Sequence, residues 1–293
     1  MSLSIPSITE LMHIFFNESS CDTFLIEKNI YWIERKCPSC EHSMHFSTNP
    51  NRLRCRKKTC RKSLSIKANS FFSKHKLPTS TIMLLGYFWL VGCTATSMIK
   101  MSKCSKNTVV AFRQHFRQLV SESINMESMA IGGDGIEVEI DETKLGKRKY
   151  NRGHPVEGVW IVGGVERTSE RRVFMVPVEN RTSHTLSDII ANYVKPGSII
   201  LTDMWKGYSC IQTDFDEFEH KTVNHSKNFK DPQTGVHTNT IEGTWNGLKM
   251  NIKSRNRVKG NIEFHLFEFI WRRQNKDNLW DAFLLALSSI YYE

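Results

Sequence analysis

Polar and apolar side chains alternate in the second half of the chain in the way that β-strands require. Within residues 136–141, apolar residues occupy the even positions and acidic residues the odd ones, so one strand face is apolar and the other acidic. Apolar runs at 158–165, 172–178 and 198–203 predict three further strands, and 220–224 predicts one more. The strands at 158–165 and 172–178 are expected to be antiparallel neighbours.

Helical spacing of apolar residues, with hydroxyl residues at the helix starts, predicts the remaining elements. The expected helices span residues 82–91, 94–101, 106–123, 182–193, 238–255, 262–273 and 277–291. Three strands, a helix, a strand, one more strand and a long helix form the element order of a ribonuclease-H-like α/β domain. That fold is the prediction for residues 131–260.

Such a fold gathers acids from its first strand, a later strand end and a following helix. Asp141, Asp203 and Glu242 occupy these places. Their hard oxygen ligands suit two Mg²⁺ or Mn²⁺ ions, which promote phosphodiester displacement. Lys249 follows Glu242 by seven residues, on the same helix face, where it is expected to contact DNA.

Other acids compete for the first metal position, namely Asp134, Glu137, Glu139 and Glu142. Three aromatic residues lie close to the second and third acids. Trp205 and Tyr208 either stack on a base or pack beside the site, and Trp245 is interpreted as a core residue.

Composition excludes a disordered or collagen-like chain, because 40% of the 293 residues are hydrophobic and 24% are charged. The formal net charge of +10 comes from the first 130 residues, which hold 18 basic and 8 acidic side chains, whereas the remainder holds 22 of each. A polyanionic partner for the first part is therefore expected.

Membrane and secretory functions are not expected, since the longest apolar run has 12 residues and the N-terminus lacks a basic segment before its apolar residues. In an intracellular protein, clustered cysteines indicate a metal site and not disulfides. Cys37, Cys40, Cys55 and Cys60 form two closely spaced pairs, as in a zinc ribbon with a structural Zn²⁺.

The expected ribbon, residues 35–76, holds 12 basic residues and one acid. His42 and His45 are alternative zinc ligands. The basic residues in or beside the second cysteine pair are expected to contact DNA phosphates. They are Arg52, Arg54, Arg56, Lys57, Lys58, Arg61 and Lys62.

Residues 77–130 predict a short helix, a tight turn and a longer basic helix, the pattern of a helix-turn-helix. A purely structural helical linker is the alternative. Residues expected to contact DNA here are Ser105, Lys106, Asn107, Arg113 and Arg117. Two further basic stretches lie near the acids, with DNA contacts expected at Lys147, Arg148, Lys149, Lys253 and Arg255.

Three segments carry a family resemblance: IDETK at 140–144, LTDMWKGY at 201–208, and HTNTIEGTWNGLK at 237–249. They resemble the catalytic blocks of Merlin-superfamily DDE transposases, and are similar to the related bacterial insertion-sequence transposases. The layout of zinc ribbon, helix-turn-helix and catalytic domain is similar as well.

The resemblance implies a transposase that binds terminal inverted repeats, cuts the element ends and joins the 3′ ends to target DNA. Asp141, Asp203 and Glu242 would be its metal carboxylates, and Lys249 its basic residue. Some relatives use Asn or His at the third position, so Asn239 and His237 remain alternatives there. A nuclear location follows from the Merlin likeness, and a nucleoid or cytoplasmic one from a bacterial source.

Because the reaction handles two DNA ends together, a homodimer or larger assembly on DNA is expected. Two rival functions remain: a DNA-binding regulator that has lost catalysis, and another ribonuclease-H-like nuclease. A helical segment at 1–34 and C-terminal helices at 261–293 complete the expected domain organisation.

Overall fold

The chain folds as two units. A computed structural model describes residues 5–49, 51–146, 158–224, 235–257 and 259–292. The first unit comprises residues 1–123 together with 275–293, and the second comprises residues 124–274. Among the described residues, no helix has the length and apolar character that crossing a membrane requires.

The helices are numbered in chain order. They are α1 (Ile8–Phe15), α2 (Glu18–Glu27), α3 (Thr79–Leu90), α4 (Ala95–Ser102), α5 (Lys106–Glu122), α6 (Ser183–Tyr193), α7 (Cys210–Asp214), α8 (Asn239–Asn251), α9 (Ile262–Gln274) and α10 (Leu279–Ser289).

The strands are numbered in the same way. They are β1 (Met44–Phe46), β2 (Arg52–Cys55), β3 (Ser63–Ser65), β4 (Ile131–Gly132), β5 (Glu137–Leu145), β6 (Val159–Glu166), β7 (Val173–Val178), β8 (Val194–Lys195), β9 (Ile199–Asp203) and β10 (Glu219–Val223).

In the first unit, β1, β2 and β3 form a small antiparallel sheet in which Met44 pairs with Cys55 and Leu53 with Leu64. Strands of three or four residues bury little apolar area. Leu53 and Met44 are buried between them. This sheet therefore depends on additional cross-links for its stability.

Three helices follow this sheet. The Thr94 side chain caps α4 and the Ser105 side chain caps α5, each accepting a hydrogen bond from a backbone N–H in the first turn. Between the two helices, Lys103 adopts a left-handed conformation with φ 57°, which makes the turn tight. The predicted bounds of these helices agree with the structure to within a few residues.

The C-terminal helices, expected as one segment, belong to different units. Helix α9 lies in the second unit and α10 in the first. Phe283 of α10 packs edge-on against Phe116 of α5, with ring centroids 5.6 Å apart, and also fills the space beside Gly86 of α3. Aromatic packing therefore places α10 in the helical core of the first unit.

The second unit is built on a five-stranded sheet of order β10-β9-β5-β6-β7. Strands β6 and β7 are antiparallel neighbours, as predicted, and β5 is antiparallel to β6, whereas β9 runs parallel to β5 and β10 parallel to β9. The apolar side of β5, including Val138 and Ile140, packs with Leu186 and Ile190 of α6.

The acidic side of β5 is covered by α8. Glu139 on this side is fully buried, with no exposed surface. Helix α8 is shorter than predicted, because it ends at Asn251. There the Arg257 guanidinium donates to the carbonyl oxygens of Lys249 and Ile252, which would otherwise lack partners at the helix end.

Gly163 in β6 leaves room for the helix above it. A Cβ atom at this position would lie 2.5 Å from the Trp245 ring of α8 and 2.9 Å from the carbonyl oxygen of Phe174. We expect Gly163→Ala to lower the free energy of unfolding by about 1–3 kcal/mol, because it over-packs the core. Urea denaturation measures this change.

Gly243→Ala is the matched control, since a Cβ atom there would meet nothing within 4 Å. In a helix this replacement should be neutral or raise stability by about 0.5–1 kcal/mol. Equal effects of the two replacements would contradict the close approach of α8 to Gly163.

Candidate active site and metal cluster

Two of the predicted metal-binding carboxylates, Asp141 and Asp203, lie on neighbouring parallel strands. The register of β5 and β9 pairs Glu139 with Leu201, and two residues further along each strand are Asp141 and Asp203. Both side chains are partly buried. The strand pairing thus brings together two carboxylates that are 62 residues apart in the chain.

Asp141 is held by α8. The indole Nε1–H of Trp245 donates to Asp141 Oδ2 at 3.0 Å. Burial raises the pKa of Asp141 to about 6, and the carboxylates of Glu142 and Asp203 add to the rise, against the opposing effect of the Trp245 N–H. Trp245 is a core residue, as predicted, being 3% exposed. Its bond to Asp141 was not anticipated.

Glu139, on the same side of β5, has different partners. Its Oε1 accepts from Arg167 Nε at 2.6 Å, and its Oε2 accepts from the backbone N–H of Ile241 in the first turn of α8 at 2.8 Å. A carboxylate at this place also complements the helix dipole. Glu139 therefore anchors the start of α8, which accounts for its burial without a metal.

The other competing acids are likewise accounted for. Glu142 accepts from Tyr208 Oη at 2.6 Å and from Arg181 Nη1 at 2.9 Å, and Glu137 pairs with Arg167. Tyr208 is therefore a buried partner of Glu142, since 1% of it is exposed. Asp134 is exposed in the turn before β5.

Asp203 lies at the C-terminal end of β9, where its Oδ1 accepts from the backbone N–H of Trp205 at 2.9 Å. The Trp205 ring is partly exposed and packs on the Arg181 guanidinium, which also lies 3.6 Å from the centre of the Trp160 ring. Arg181 thus links the segment after Asp203 to Glu142, the residue next to Asp141.

Glu242 is exposed in the first turn of α8, and Lys249 is half-buried in the last turn. Helix periodicity puts both on the flank of α8 that carries Trp245. The three predicted metal carboxylates do not form a tight cluster: among the described residues, the only group of three or more ligands within 4.8 Å of one another is the four thiols.

The alternative third ligands are His237 and Asn239. His237 Nδ1 contacts Arg167 Nη2 at 2.8 Å, so this nitrogen acts as the acceptor. Asn239 is exposed at the first position of α8. Arg167 therefore binds Glu137, Glu139 and the His237 loop together, a role that no local sequence pattern indicates.

The four predicted zinc ligands converge. The Sγ atoms of Cys37 and Cys60 are 3.7 Å apart and those of Cys40 and Cys55 are 3.4 Å apart, and all four lie within 4.8 Å of one another. This cluster is compatible with a structural zinc ion. The alternatives His42 and His45 are exposed and do not belong to the group.

The residues predicted to contact DNA differ in their exposure. Those of the ribbon are all exposed, as are two at the start of α5 and one after α8. The exposed residues are Arg52, Arg54, Arg56, Lys57, Lys58, Arg61, Lys62, Lys106, Asn107 and Lys253.

Two residues of α5 require correction. Arg117 is 7% exposed, which removes it from a DNA-facing surface. Arg113 is half-buried and its Nη1 donates to the carbonyl oxygen of Cys93 at 2.9 Å. Both face the helical core, because they share the side of α5 that carries Val109, Phe116 and Val120.

Lys147, Arg148 and Lys149 lie outside the described residues, and so does the side chain of Arg255. Lys253 and Arg255 were expected on the long helix, but both positions follow its end at Asn251.

Comparison with known proteins identifies the second unit. A family model described as an ISXO2-like transposase domain matches residues 131–272, which include Asp141, Asp203 and Glu242. An uncharacterized transposase-like protein of Haemophilus influenzae is 36% identical over 107 residues, which is 36% of this chain and 84% of that relative.

The match is to an insertion-sequence family, and a specific assignment to the Merlin superfamily does not follow from it. Because this relative is bacterial, it lends no support to the nuclear location that the Merlin likeness implied. With its matched domain and its transposase-like relative, the chain belongs to the family of DDE-type insertion-sequence transposases.

Proposed function

We propose that the chain cleaves DNA at the ends of an insertion element and transfers the freed 3′ ends to target DNA. One observation carries the proposal: Asp141 and Asp203 occupy adjacent positions on parallel strands, and Trp245 ties Asp141 to the helix that bears Glu242. Carboxylates from these elements offer the oxygen ligands that a two-metal site for phosphodiester displacement would use.

The sheet supports a ribonuclease-H-like fold for this unit. An antiparallel β5–β6–β7 meander with β9 and β10 added in parallel, and helices on both sides, agrees with the element order expected for that fold. The proposed chemistry would then lie at the central strand β5 and at β9 beside it, where the antiparallel and parallel parts of the sheet meet.

The donor set fits divalent magnesium or manganese. The carboxylates offer hard oxygen ligands, and a protein N–H orients one oxygen of each Asp: Trp245 Nε1–H for Asp141 and the Trp205 backbone N–H for Asp203. Bound ions would supply activation of the attacking oxygen and stabilisation of the leaving oxygen. Asp141, Asp203 and Glu242 would hold them.

The side chains of the site would orient the metal-binding carboxylates and bind the DNA strand. Trp245 keeps one oxygen of Asp141 engaged, so that its other oxygen faces the site in a defined direction. Lys249, on the Glu242 flank of α8, would bind a phosphate of the scissile strand. A water would attack the phosphorus at the element end and displace the 3′-oxygen, which leaves with a proton as the free 3′-OH. That 3′-OH would then attack a phosphorus of the target DNA in line and displace a target 3′-OH, without any covalent bond to the protein.

Recognition of the element ends is assigned to the first unit. The exposed ribbon residues, from Arg52 to Lys62, provide phosphate contacts. Helices α4 and α5, joined by the tight turn at Lys103, would act as a helix-turn-helix, with Lys106 and Asn107 exposed at the start of the second helix. Zinc would hold the ribbon, and a dimer or larger assembly would bring two ends together.

Replacing any of the three acids by alanine should abolish cleavage and leave end binding largely intact. A gel assay with Mg²⁺ and inverted-repeat DNA measures both. Glu263→Ala, which removes an exposed acid from the first turn of α9, is the matched control.

Full cleavage by a variant would exclude that residue from the metal site. A wild-type protein that binds ends but never nicks or joins them would be a regulator and not an enzyme. Cleavage of RNA–DNA hybrids or branched junctions without end specificity would indicate another nuclease of the same fold.

The raised pKa of Asp141 has a consequence for stability. Because its folded value of about 6 exceeds the ordinary 3.8, this carboxyl favours folding when protonated, and its contribution is lost as the pH rises through about 6. Without added Mg²⁺, Asp141→Asn should therefore be more stable than wild type at pH 7 by about 1–3 kcal/mol.

The advantage of Asp141→Asn should shrink at about pH 4, where the wild-type carboxyl is protonated in the folded state and about half protonated in the unfolded state, whose pKa is 3.8. Urea denaturation at both pH values measures it, and added Mg²⁺ should stabilise the wild type more than the variant. A gap that does not change with pH would contradict the raised pKa.

Cys37→Ser should release zinc and weaken end binding, because the sheet of β1–β3 has a small apolar core. Elemental analysis and DNA titration test this. Cys104→Ser, outside the thiol group, should retain zinc. Unchanged zinc content in Cys37→Ser would rule out the ribbon site.

A further inference from the structure

A second polar site lies in the catalytic unit, between α8 and α9. It is a cleft of about 420 Å³. Its lining includes Arg171, Arg273, Asn239, Thr240 and Gly243. Space is open above the helix, because a Cβ atom at Gly243 would meet nothing within 4 Å.

The cleft is separate from the carboxylates. In a helix that turns by about 100° per residue, Thr240 and Gly243 lie on one flank of the buried stripe of α8, and Glu242 lies on the other. The stripe itself, which contains Ile241 and Leu248, packs on the sheet. A ligand in the cleft would therefore not compete with metals at Asp141.

Two cations at the cleft have no acidic partner in the part of the chain that the structure describes. Arg273 is half-buried, and its Nε donates to the Arg171 carbonyl oxygen at 2.7 Å, which holds the two residues together. Burial, and then the charge of Arg171, lower the pKa of Arg273. Two like charges this close favour an anionic ligand.

The adjacent arginines behave differently. Arg172 pairs with Glu166 and Glu170, and Arg272 pairs with Glu268 one helical turn away. An acidic side chain thus pairs with the arginine next to each cleft residue, whereas Arg171 and Arg273 line the cleft together with Asn239 and Thr240.

We propose that this cleft binds a phosphodiester of the DNA backbone, on the flank of α8 away from the carboxylates. Guanidinium groups pair with phosphate oxygens in a forked geometry, and amide and hydroxyl groups add donors. The proposal rests on the proposed function, since it takes DNA as the ligand. It adds a DNA contact to the catalytic unit that is separate from the scissile phosphate.

The test is the salt dependence of DNA binding, measured by fluorescence anisotropy without Mg²⁺. The double variant Arg171→Gln/Arg273→Gln should reduce the slope of log K against log salt by about 0.9, the value for one lost phosphate contact. Arg272→Gln is the matched control on α9 and should keep the wild-type slope. Arg171→Lys/Arg273→Lys should also keep it, because both charges remain.

A second variant keeps the test valid if the double variant does not fold. Gly243→Leu fills the cleft while it leaves both arginines in place, and its side chain enters open space. It should reduce the salt slope by about as much as the double variant does. If circular dichroism shows that the double variant is unfolded, the slope of Gly243→Leu alone tests the cleft as a phosphate site. A wild-type slope in the folded variants overturns the cleft as a phosphate site.

The two proposals fail in different ways. If the wild type binds DNA and cleaves it, and the slope does not change in either cleft variant, the cleft assignment is wrong and the transposase function stands. If the wild type binds no DNA, the proposed function is wrong and the cleft assignment falls with it.

Discussion

The second unit depends on burying the acidic side of β5 beneath α8. Burying a carboxylate costs free energy unless hydrogen-bond donors or cations contact it. Glu139 accepts hydrogen bonds from Arg167 and from the first turn of α8. Its charge is therefore balanced, and it holds the start of the helix against β5. Asp141 receives the Trp245 N–H and lies near two further carboxylates, so its charge is poorly compensated and its pKa is raised. The same burial thus produces one anchor and one acid suited to a divalent cation.

The position of α8 follows from these two contacts and from the space at Gly163. Under the proposed function, the two flanks of the helix would have separate roles. One carries Glu242 and Lys249 beside the strands that bear Asp141 and Asp203. The other opens, at its small residues, into the cleft with Arg171 and Arg273. A single helix would in this way address both the reacting phosphate and a distant one, which suits an enzyme that must hold long DNA segments.

The ribbon of the first unit has little apolar core of its own. It is too small to fold on apolar contacts, and four converging thiols take the place of a core. Because the ribbon side chains need not fill an interior, they are free to be basic and exposed, and much of the net charge collects there. The helices of this unit instead have an aromatic core, in which Phe283 of α10 packs against Phe116 of α5. Arg117 is buried in the same unit.

Local pattern was sufficient for much of this protein. Apolar periodicity located the five strands of the main sheet and most helix bounds, and cysteine spacing located the thiol cluster. The order of Asp141, Asp203 and Glu242 predicted the carboxylates that we propose for the metal site. Tertiary structure decided the partners of each acid, because Glu139 and Asp141 share one strand face but accept hydrogen bonds from groups 102 and 104 residues away in the chain. It also decided that Arg117 is buried, that α9 and α10 belong to different units, and that Arg273 donates a hydrogen bond to the Arg171 carbonyl oxygen. Each of these outcomes depends on contacts between distant segments, whereas periodicity reports only on neighbours within one element.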